Sequence, residues 1–142
     1  MRKTVIPIRI IAALGLIFTF SLQSCSTIKT VNAFEENGEL IIEKSEFFNP
    51  ETKIEYSSIM VTSNYIRKPI ILYKVGTDSY DAYSLECTFD GDKLSVTQSK
   101  LECETDGSIY NQSGEVLKGP ANRNLKRYVI DKTATTIKIK IK

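Results

Sequence analysis

The sequence predicts an all-β protein, built as an antiparallel β-sandwich with a small subdomain that carries two loops. Three observations lead to this prediction. From about residue 39 onwards, apolar residues either alternate with polar ones or form short runs, and both patterns are typical of strands. Turn-forming residues such as Asn, Pro, Gly and Asp separate these segments. Beyond the N-terminal segment, no stretch shows a convincing helical period.

The N-terminal segment is predicted to be a signal peptide that is removed from the mature protein. It starts with Met1-Arg2-Lys3, and an almost wholly apolar run follows at 10–22. This run is too short for a confident membrane span and fits the apolar region of a signal. It leads to Ser24-Cys25, which resembles a bacterial lipobox. The resemblance implies cleavage before Cys25 and acylation of its sulfur, hence a stable lipid anchor.

Three segments follow from this reading: a lipoprotein signal peptide at 1–24, a tether at 25–37 and one folded domain at 38–142. Removing 24 of the 142 residues leaves 118, enough for one domain with a modest core. The signal holds three of the 19 basic residues, so the mature part has 16 basic and 17 acidic residues. No basic stripe indicates nucleic-acid binding. The expected location is the cell envelope, anchored to the outer membrane and facing the periplasm.

The strands of the domain can be placed in chain order. The first begins at Leu40 and ends before Asn49-Pro50. Further strands are predicted at 58–62, 70–75, 80–85, 94–97, 100–102, 108–110, 125–129 and 136–142. The run at 70–75 is the candidate for a buried strand. The last segment alternates strictly, which predicts isoleucines facing inward and lysines facing outward.

The residues that carry most chemical information lie at 86–121. Two loops each carry one cysteine, ECTFDG at 86–91 and ECETDGS at 102–108, and Gly119-Pro120-Ala121 follows. This order resembles the cluster-binding region of Rieske [2Fe–2S] proteins, which has a Cys-x-His loop, a Cys-x-x-His-Gly-Ser loop and a Gly-Pro-Ala loop. The resemblance implies a Rieske-like fold with a cluster-binding-type subdomain. It also implies that Cys87 and Cys103 match the two cysteine ligands.

Both histidine positions of that pattern are substituted. Phe89 stands at the first and Asp106 at the second, and the chain contains no histidine. A Rieske centre holds one iron by two thiolates and the other by two imidazoles. A [2Fe–2S] cofactor is therefore implied by the resemblance alone, and no cofactor is expected. We expect the ring of Phe89 to fill the space of the missing imidazole, with an exposed docking ring as the alternative.

The two loop cysteines leave three alternatives open. The leading expectation is a Cys87–Cys103 disulfide, because the resemblance brings the sulfurs together and export favours oxidation. Its stabilisation would be about 3 kcal/mol for this loop length. A non-standard [2Fe–2S] site could recruit Asp106 and Asp90 as carboxylate ligands. A single zinc ion on Cys87, Cys103 and Asp106, with Asp90 or water as a fourth ligand, is the third alternative.

Catalytic motifs are missing from the sequence. Without histidine, neither a Ser-His-Asp nor a Cys-His arrangement is available, and no Gly-rich phosphate loop is present. We therefore expect no enzyme and identify no small-molecule substrate. The predicted function is a binding or structural accessory lipoprotein of the cell envelope, with another envelope protein as partner. The alternative is an electron-transfer protein with a non-standard cluster.

Overall fold

The computed structural model describes residues 28–97 and 99–142, and this part of the chain is all-β, as predicted. It contains fourteen strands and one short 3-10 helix, Lys44–Phe47. The strands are β1 (Lys29–Asn32), β2 (Phe34–Glu36), β3 (Glu39–Glu43), β4 (Phe48–Asn49), β5 (Ile54–Glu55), β6 (Ser58–Thr62), β7 (Ile70–Gly76), β8 (Ser79–Ser84), β9 (Ser95–Val96), β10 (Leu101–Glu102), β11 (Ile109–Tyr110), β12 (Val116–Lys118), β13 (Arg127–Lys132) and β14 (Thr136–Lys140).

The largest sheet has eight strands in the order β1-β6-β7-β8-β13-β14-β3-β2. All neighbouring strands in it are antiparallel except β1 and β6, which run parallel with Lys29 opposite Ile59. The antiparallel prediction therefore holds for this sheet apart from one edge pair. Strands β7 and β8 form the hairpin expected around the turn at residues 77 and 78.

The last strand shows how the alternating pattern produces the first core. Ile137 and Ile139 of β14 are fully buried, whereas Lys138 between them and Lys140 after them are not. They pack with Leu40 of β3 and with Ile59 of β6, at the far end of the strand order. One sheet therefore curves around its own apolar face, which gives the sandwich.

Strand β7 lies between two hydrophobic cores and is buried on both faces. Ile70 and Leu72 point into the first core, and Ile71 and Tyr73 point into the second. Because successive side chains of a strand face opposite ways, burial on both faces requires a continuous apolar run. The run at 70–75 was predicted as a buried strand, which holds for residues 70–73, whereas Val75 is 58% exposed.

The second core lies beneath the small loop-bearing subdomain. Four short strands form its sheet, in the order β12-β11-β10-β9. The fully buried side chains of Leu85, Leu101 and Tyr110 pack there against Ile71 of the large sheet. The remaining two strands, β4 and β5, form a separate hairpin. The small sheet therefore packs on the large sheet, and this packing holds its loops in place.

Two expectations need correction. The segment 25–37 was predicted to be a tether, but β1 and β2 lie inside it and pair with β6 and β3. The folded part of the chain thus begins before residue 38. The first predicted strand is also interrupted, because the 3-10 helix Lys44–Phe47 separates β3 from β4.

The predicted signal peptide at 1–24 and the predicted acylation site Cys25 lie outside the described residues. Within 28–97 and 99–142, no helix has the length and apolar character needed to cross a membrane.

Candidate functional site

The first cysteine loop continues directly from β8. Leu85 anchors its start, because its amide donates to the Pro69 carbonyl at 2.9 Å. The amide of Cys87 then donates to the Asp92 carbonyl at 2.8 Å, and the amide of Gly91 donates to the Cys87 carbonyl at 2.9 Å. This turn needs a positive φ of 79° at Gly91, which glycine adopts without strain.

The second cysteine loop connects β10 to β11 with the same backbone bonds. The amide of Cys103 donates to the Ser108 carbonyl at 2.9 Å, and the amide of Gly107 donates to the Cys103 carbonyl at 2.8 Å. The φ of Gly107 is 78°. Both cysteines are held at the start of closely similar tight loops.

The loops bring two thiols and two carboxylates together. Cys87 is 2% exposed and Cys103 is fully buried. The Cys87 thiol donates to Oδ2 of Asp106 at 3.1 Å, and the Cys103 thiol donates to Oδ2 of Asp90 at 3.5 Å. One ligand atom from each of the four residues lies within 4.8 Å of the other three. Each thiol therefore faces a carboxylate of the other loop.

The remaining carboxylate oxygens are held by the backbone. Oδ1 of Asp90 accepts from the Asp92 amide at 2.9 Å, and Oδ1 of Asp106 accepts from the Ser108 amide at 2.6 Å. These bonds fix both side chains and leave Oδ2 of each directed at a thiol. The carboxylates are thus oriented by their own loops, independently of each other.

Burial and hydrogen bonds together give the Cys103 thiol and the Asp106 carboxylate opposite pKa shifts. Burial raises the pKa of the Cys103 thiol to about 12, against backbone hydrogen bonds at Asp106 and Thr105 that lower it. Burial alone would also raise the pKa of Asp106. Hydrogen bonds from Ser108 and from the two thiols outweigh it and lower the pKa of Asp106 to about 2. Without a metal, Cys103 is therefore a neutral thiol and Asp106 an ionised carboxylate at neutral pH.

Tyr110 and the Gly-Pro-Ala segment brace the loops from behind. The fully buried Tyr110 hydroxyl accepts from the Thr88 amide at 3.1 Å and lies 3.5 Å from the Cys87 sulfur. The Ala121 amide donates to Oγ of buried Ser108 at 2.9 Å, which holds the Gly119-Pro120-Ala121 segment beside the second loop. The position of both loops is therefore set by buried side chains.

Phe89 does not fill the site. Its side chain is 62% exposed, so the interpretation of this ring as a plug in the imidazole space was wrong. The residue that faces the site is Asp90, one position later. The sequence contained the signal for this, since an Asp-Gly pair follows the cysteine at the same spacing in both loops. The Cys-x-His pattern of the family instead assigns the first loop's site residue to position 89.

The two cysteines are free thiols in the structure. The 4.8 Å limit within the four-residue group includes their sulfurs, so the loop tips converge as the resemblance implied. The Cys87–Cys103 disulfide stays a prediction, because it requires only that these sulfurs approach further.

The described residues thus form an all-β domain in which two cysteine loops converge over a small sheet. A sequence model of the Rieske [2Fe-2S] domain matches residues 48–129, more than half of the chain, and the chain belongs to this family. Among solved structures, one similar protein is the plasma membrane Rieske protein PetC3 of the cyanobacterium Synechocystis PCC 6803. It is 23% identical, the match covers 72% of this chain and 86% of that chain, and the TM-score is 0.46. No curated protein matches the sequence.

The residues present do not fit the cofactor for which this family is named. The cluster needs two thiolates on one iron and two imidazoles on the other, and this chain has no histidine. The distances between the donor atoms do not fit the cluster either. Ligands of two different irons are farther apart than ligands of one iron, because the distance between the two irons separates them. Here the Cys87 sulfur and the Asp106 carboxylate, which would belong to different irons, are 3.1 Å apart. The donor set is too compact and too rich in oxygen for a Rieske centre.

Proposed function

We propose that the chain is a membrane-anchored, Rieske-like accessory protein of the bacterial cell envelope, with no [2Fe–2S] cluster and no catalytic activity of its own. One observation carries the proposal: the four donors are two thiols and two carboxylates within 4.8 Å of one another. Carboxylate is a hard ligand and suits iron–sulfur iron poorly compared with thiolate or imidazole. The family's fold is thus combined with a site that lacks the family's ligands.

The cluster content of the full chain tests this proposal. The chain is produced in a bacterium that processes lipoproteins and is purified from membranes without air. We expect no inorganic sulfide and no electron-spin signal after reduction. A double variant, Asp90→His with Asp106→His, is the matched positive control because it places two imidazoles on the positions whose side chains face the thiols. Two irons and two sulfides per wild-type chain would instead support the alternative function, electron transfer through a non-standard cluster.

The lipid anchor is the second part of the proposal. The apolar run at 10–22 followed by Ser24-Cys25 supports it. With Cys25→Ser we expect loss of metabolic labelling by a fatty acid and loss of signal-peptide removal. Cys87→Ser is the control, because it also removes one thiol but leaves Cys25 in place, so it should keep the fatty-acid label. Labelling that survives in Cys25→Ser would contradict the anchor. Fractionation of the wild type then tests the proposed outer-membrane location.

The partner is proposed to be another envelope protein that contacts the first loop. Phe89 exposes an apolar ring there, beside the exposed cations Arg123 and Lys126 along a groove of about 520 Å³. Such a ring bordered by charges is typical of interface anchors. A photoreactive residue at position 89 should give one defined adduct in cells. The control is position 129, where Val129 is also 62% exposed. Equal adducts from both positions would contradict a contact at the loop.

A further inference from the structure

The two cysteine loops are two copies of one short motif. Residues 86–91 and 102–107 both read Glu-Cys-x-x-Asp-Gly. The structure repeats the likeness in the backbone. In each copy the glycine amide donates to the cysteine carbonyl, at 2.9 and 2.8 Å, and the glycine φ values differ by only one degree, 79° against 78°. The motif is therefore a folded unit that occurs twice.

The side chains of the two copies are equivalent as well. In each copy, Oδ1 of the aspartate accepts the amide two residues later, and Oδ2 points at the cysteine of the other copy. The four donor atoms thus form two equivalent thiol–carboxylate pairs between the loops. Two such units facing each other present two sulfurs and two single carboxylate oxygens to one shared point.

We infer that Cys87, Asp90, Cys103 and Asp106 bind a single zinc ion in tetrahedral coordination. The inference rests on the proposed function in one respect, since one ion and a two-iron cluster exclude each other. Of the two fourth ligands that the sequence left open, Asp90 or water, it selects Asp90, whose carboxylate lies with the other three donors.

The distances between the donors support one ion. Bonds of about 2.3 Å to sulfur and 2.0–2.2 Å to oxygen place tetrahedral ligands about 3.3–3.8 Å apart. The two thiol–carboxylate pairs are 3.1 and 3.5 Å apart, and the whole set lies within 4.8 Å. Only small movements are needed to close the set around one ion.

The chemistry of the donors selects the metal. Thiolates disfavour Mg²⁺ and Ca²⁺, which take oxygen ligands at higher coordination numbers. Zinc accepts both thiolate and carboxylate and is tetrahedral in structural sites. Four protein ligands leave no open position for water, so the ion would be structural. It would join the loop after β8 to the loop after β10. Asp90 is the exposed member and gives the ion a path of entry.

Metal analysis of the full chain tests the inference. The protein is purified from membranes under reducing conditions through an affinity tag without histidine, and zinc, iron and sulfide are then measured. We expect one zinc per chain and no sulfide. Metal-stripped protein is titrated with cobalt(II), which should show tetrahedral absorption and sulfur-to-cobalt charge transfer.

Asp90→Asn and Asp92→Asn form a matched pair. Both remove one carboxylate from the first loop, but the Asp92 carboxylate accepts from Thr105 and does not face the thiols. Asp90→Asn should weaken zinc binding more than about tenfold, because even outer-shell partners contribute that much. Asp92→Asn should leave the affinity unchanged. Asp90→Cys restores a zinc ligand and should recover binding, which separates lost coordination from misfolding.

The outcomes also separate this inference from the proposed function. Two irons and two sulfides per chain would overturn both. Failure of the reduced, stripped chain to bind zinc or cobalt would overturn the zinc site alone and leave a cluster-free accessory protein. Equal losses in Asp90→Asn and Asp92→Asn, or no recovery in Asp90→Cys, would overturn the assignment of Asp90.

Discussion

At the scale of single residues, two buried tyrosine hydroxyls have opposite environments. The Tyr110 hydroxyl contacts the amide and Oγ1 of Thr88 and the sulfur of Cys87. The Tyr73 hydroxyl has no hydrogen-bond partner among the described residues. The same substitution should therefore change stability in opposite directions at these two positions.

Tyr110→Phe should destabilise the protein by about 1–3 kcal/mol, because the Thr88 amide would lose its acceptor while remaining partly buried. Urea unfolding of the reduced protein measures this change. An unchanged midpoint would contradict the role of this hydroxyl in supporting the first loop.

Tyr73→Phe should raise stability by about 1 kcal/mol at neutral pH, because it removes a buried, unpaired hydroxyl. Burial, with a smaller contribution from Tyr83, raises the pKa of Tyr73 from 10.0 to about 12. A raised pKa contributes stability below pH 10 that is lost as pH rises towards 12. Between pH 10 and 12, the free energy of unfolding should therefore fall less steeply for Tyr73→Phe than for the wild type. Parallel curves would contradict this.

The identity of the donors at the loop tips was only partly predictable. Cys87, Cys103 and Asp106 were singled out from the sequence and lie together. Asp90 was given only a secondary place. Which of two adjacent side chains turns inward depends on the turn geometry at Gly91, and a family pattern written for histidine does not contain that information.

At the scale of elements, the long alternating strands were predicted from their period, whereas the short strands β1, β2 and β12 were missed. Strand β14 was predicted from its strict period of two. Strands β1, β2 and β12 have three or four residues. This is too few for the alternation of apolar and polar residues to be recognised among the polar residues around them. The parallel pairing of β1 with β6 depends on tertiary contacts that local sequence does not report.

Two isoleucines at the C-terminus give a test of this strand. Ile139 is fully buried between β13 and β3, whereas Ile141 follows the strand and is only partly buried. Ile139→Ala should cost about 2–5 kcal/mol, the usual range for a buried aliphatic side chain. Ile141→Ala should cost about 1 kcal/mol. Equal losses in chemical unfolding would contradict the observed register.

At the scale of the whole molecule, the small subdomain depends on the large sheet from one side and on the two loops from the other. The side chains of its core come from β7 and β8 as well as from both loops. A link between the loop tips should therefore stabilise the folded chain as a unit. Overall architecture was predictable at this scale because the family pattern fixes loop order, but the curvature of the large sheet was not.

Zinc should raise the unfolding temperature in proportion to the logarithm of its free concentration, because it binds the folded site selectively. At 100 times the dissociation constant the gain is about 2.7 kcal/mol. Calorimetry across a zinc series measures this effect, with Mg²⁺ as the control ion and Asp90→Asn as the control variant. An unfolding temperature that does not depend on zinc would contradict it.

In the metal-free chain, oxidation should join Cys87 to Cys103, since their sulfurs are close and the third cysteine is proposed to carry lipid. The disulfide should contribute about 3 kcal/mol by the chain-entropy model. Peptide mapping without reductant detects it. Zinc present during oxidation should prevent it, and equal disulfide yields with and without zinc would contradict the shared use of these sulfurs.

The parallel pairing of β1 also bears on the distance between the loops and the proposed lipid on Cys25. With a lipid on Cys25, Lys29 can be no farther than about 14 Å from the membrane surface, the reach of four extended residues. The register from β1 through β6 and β7 to β8 puts Asn32 and Ser84 at the same end of the sheet, away from Lys29. The first loop therefore begins about 10 Å farther along the strands than Lys29, so a partner can contact it at the end of the sheet opposite to the proposed anchor.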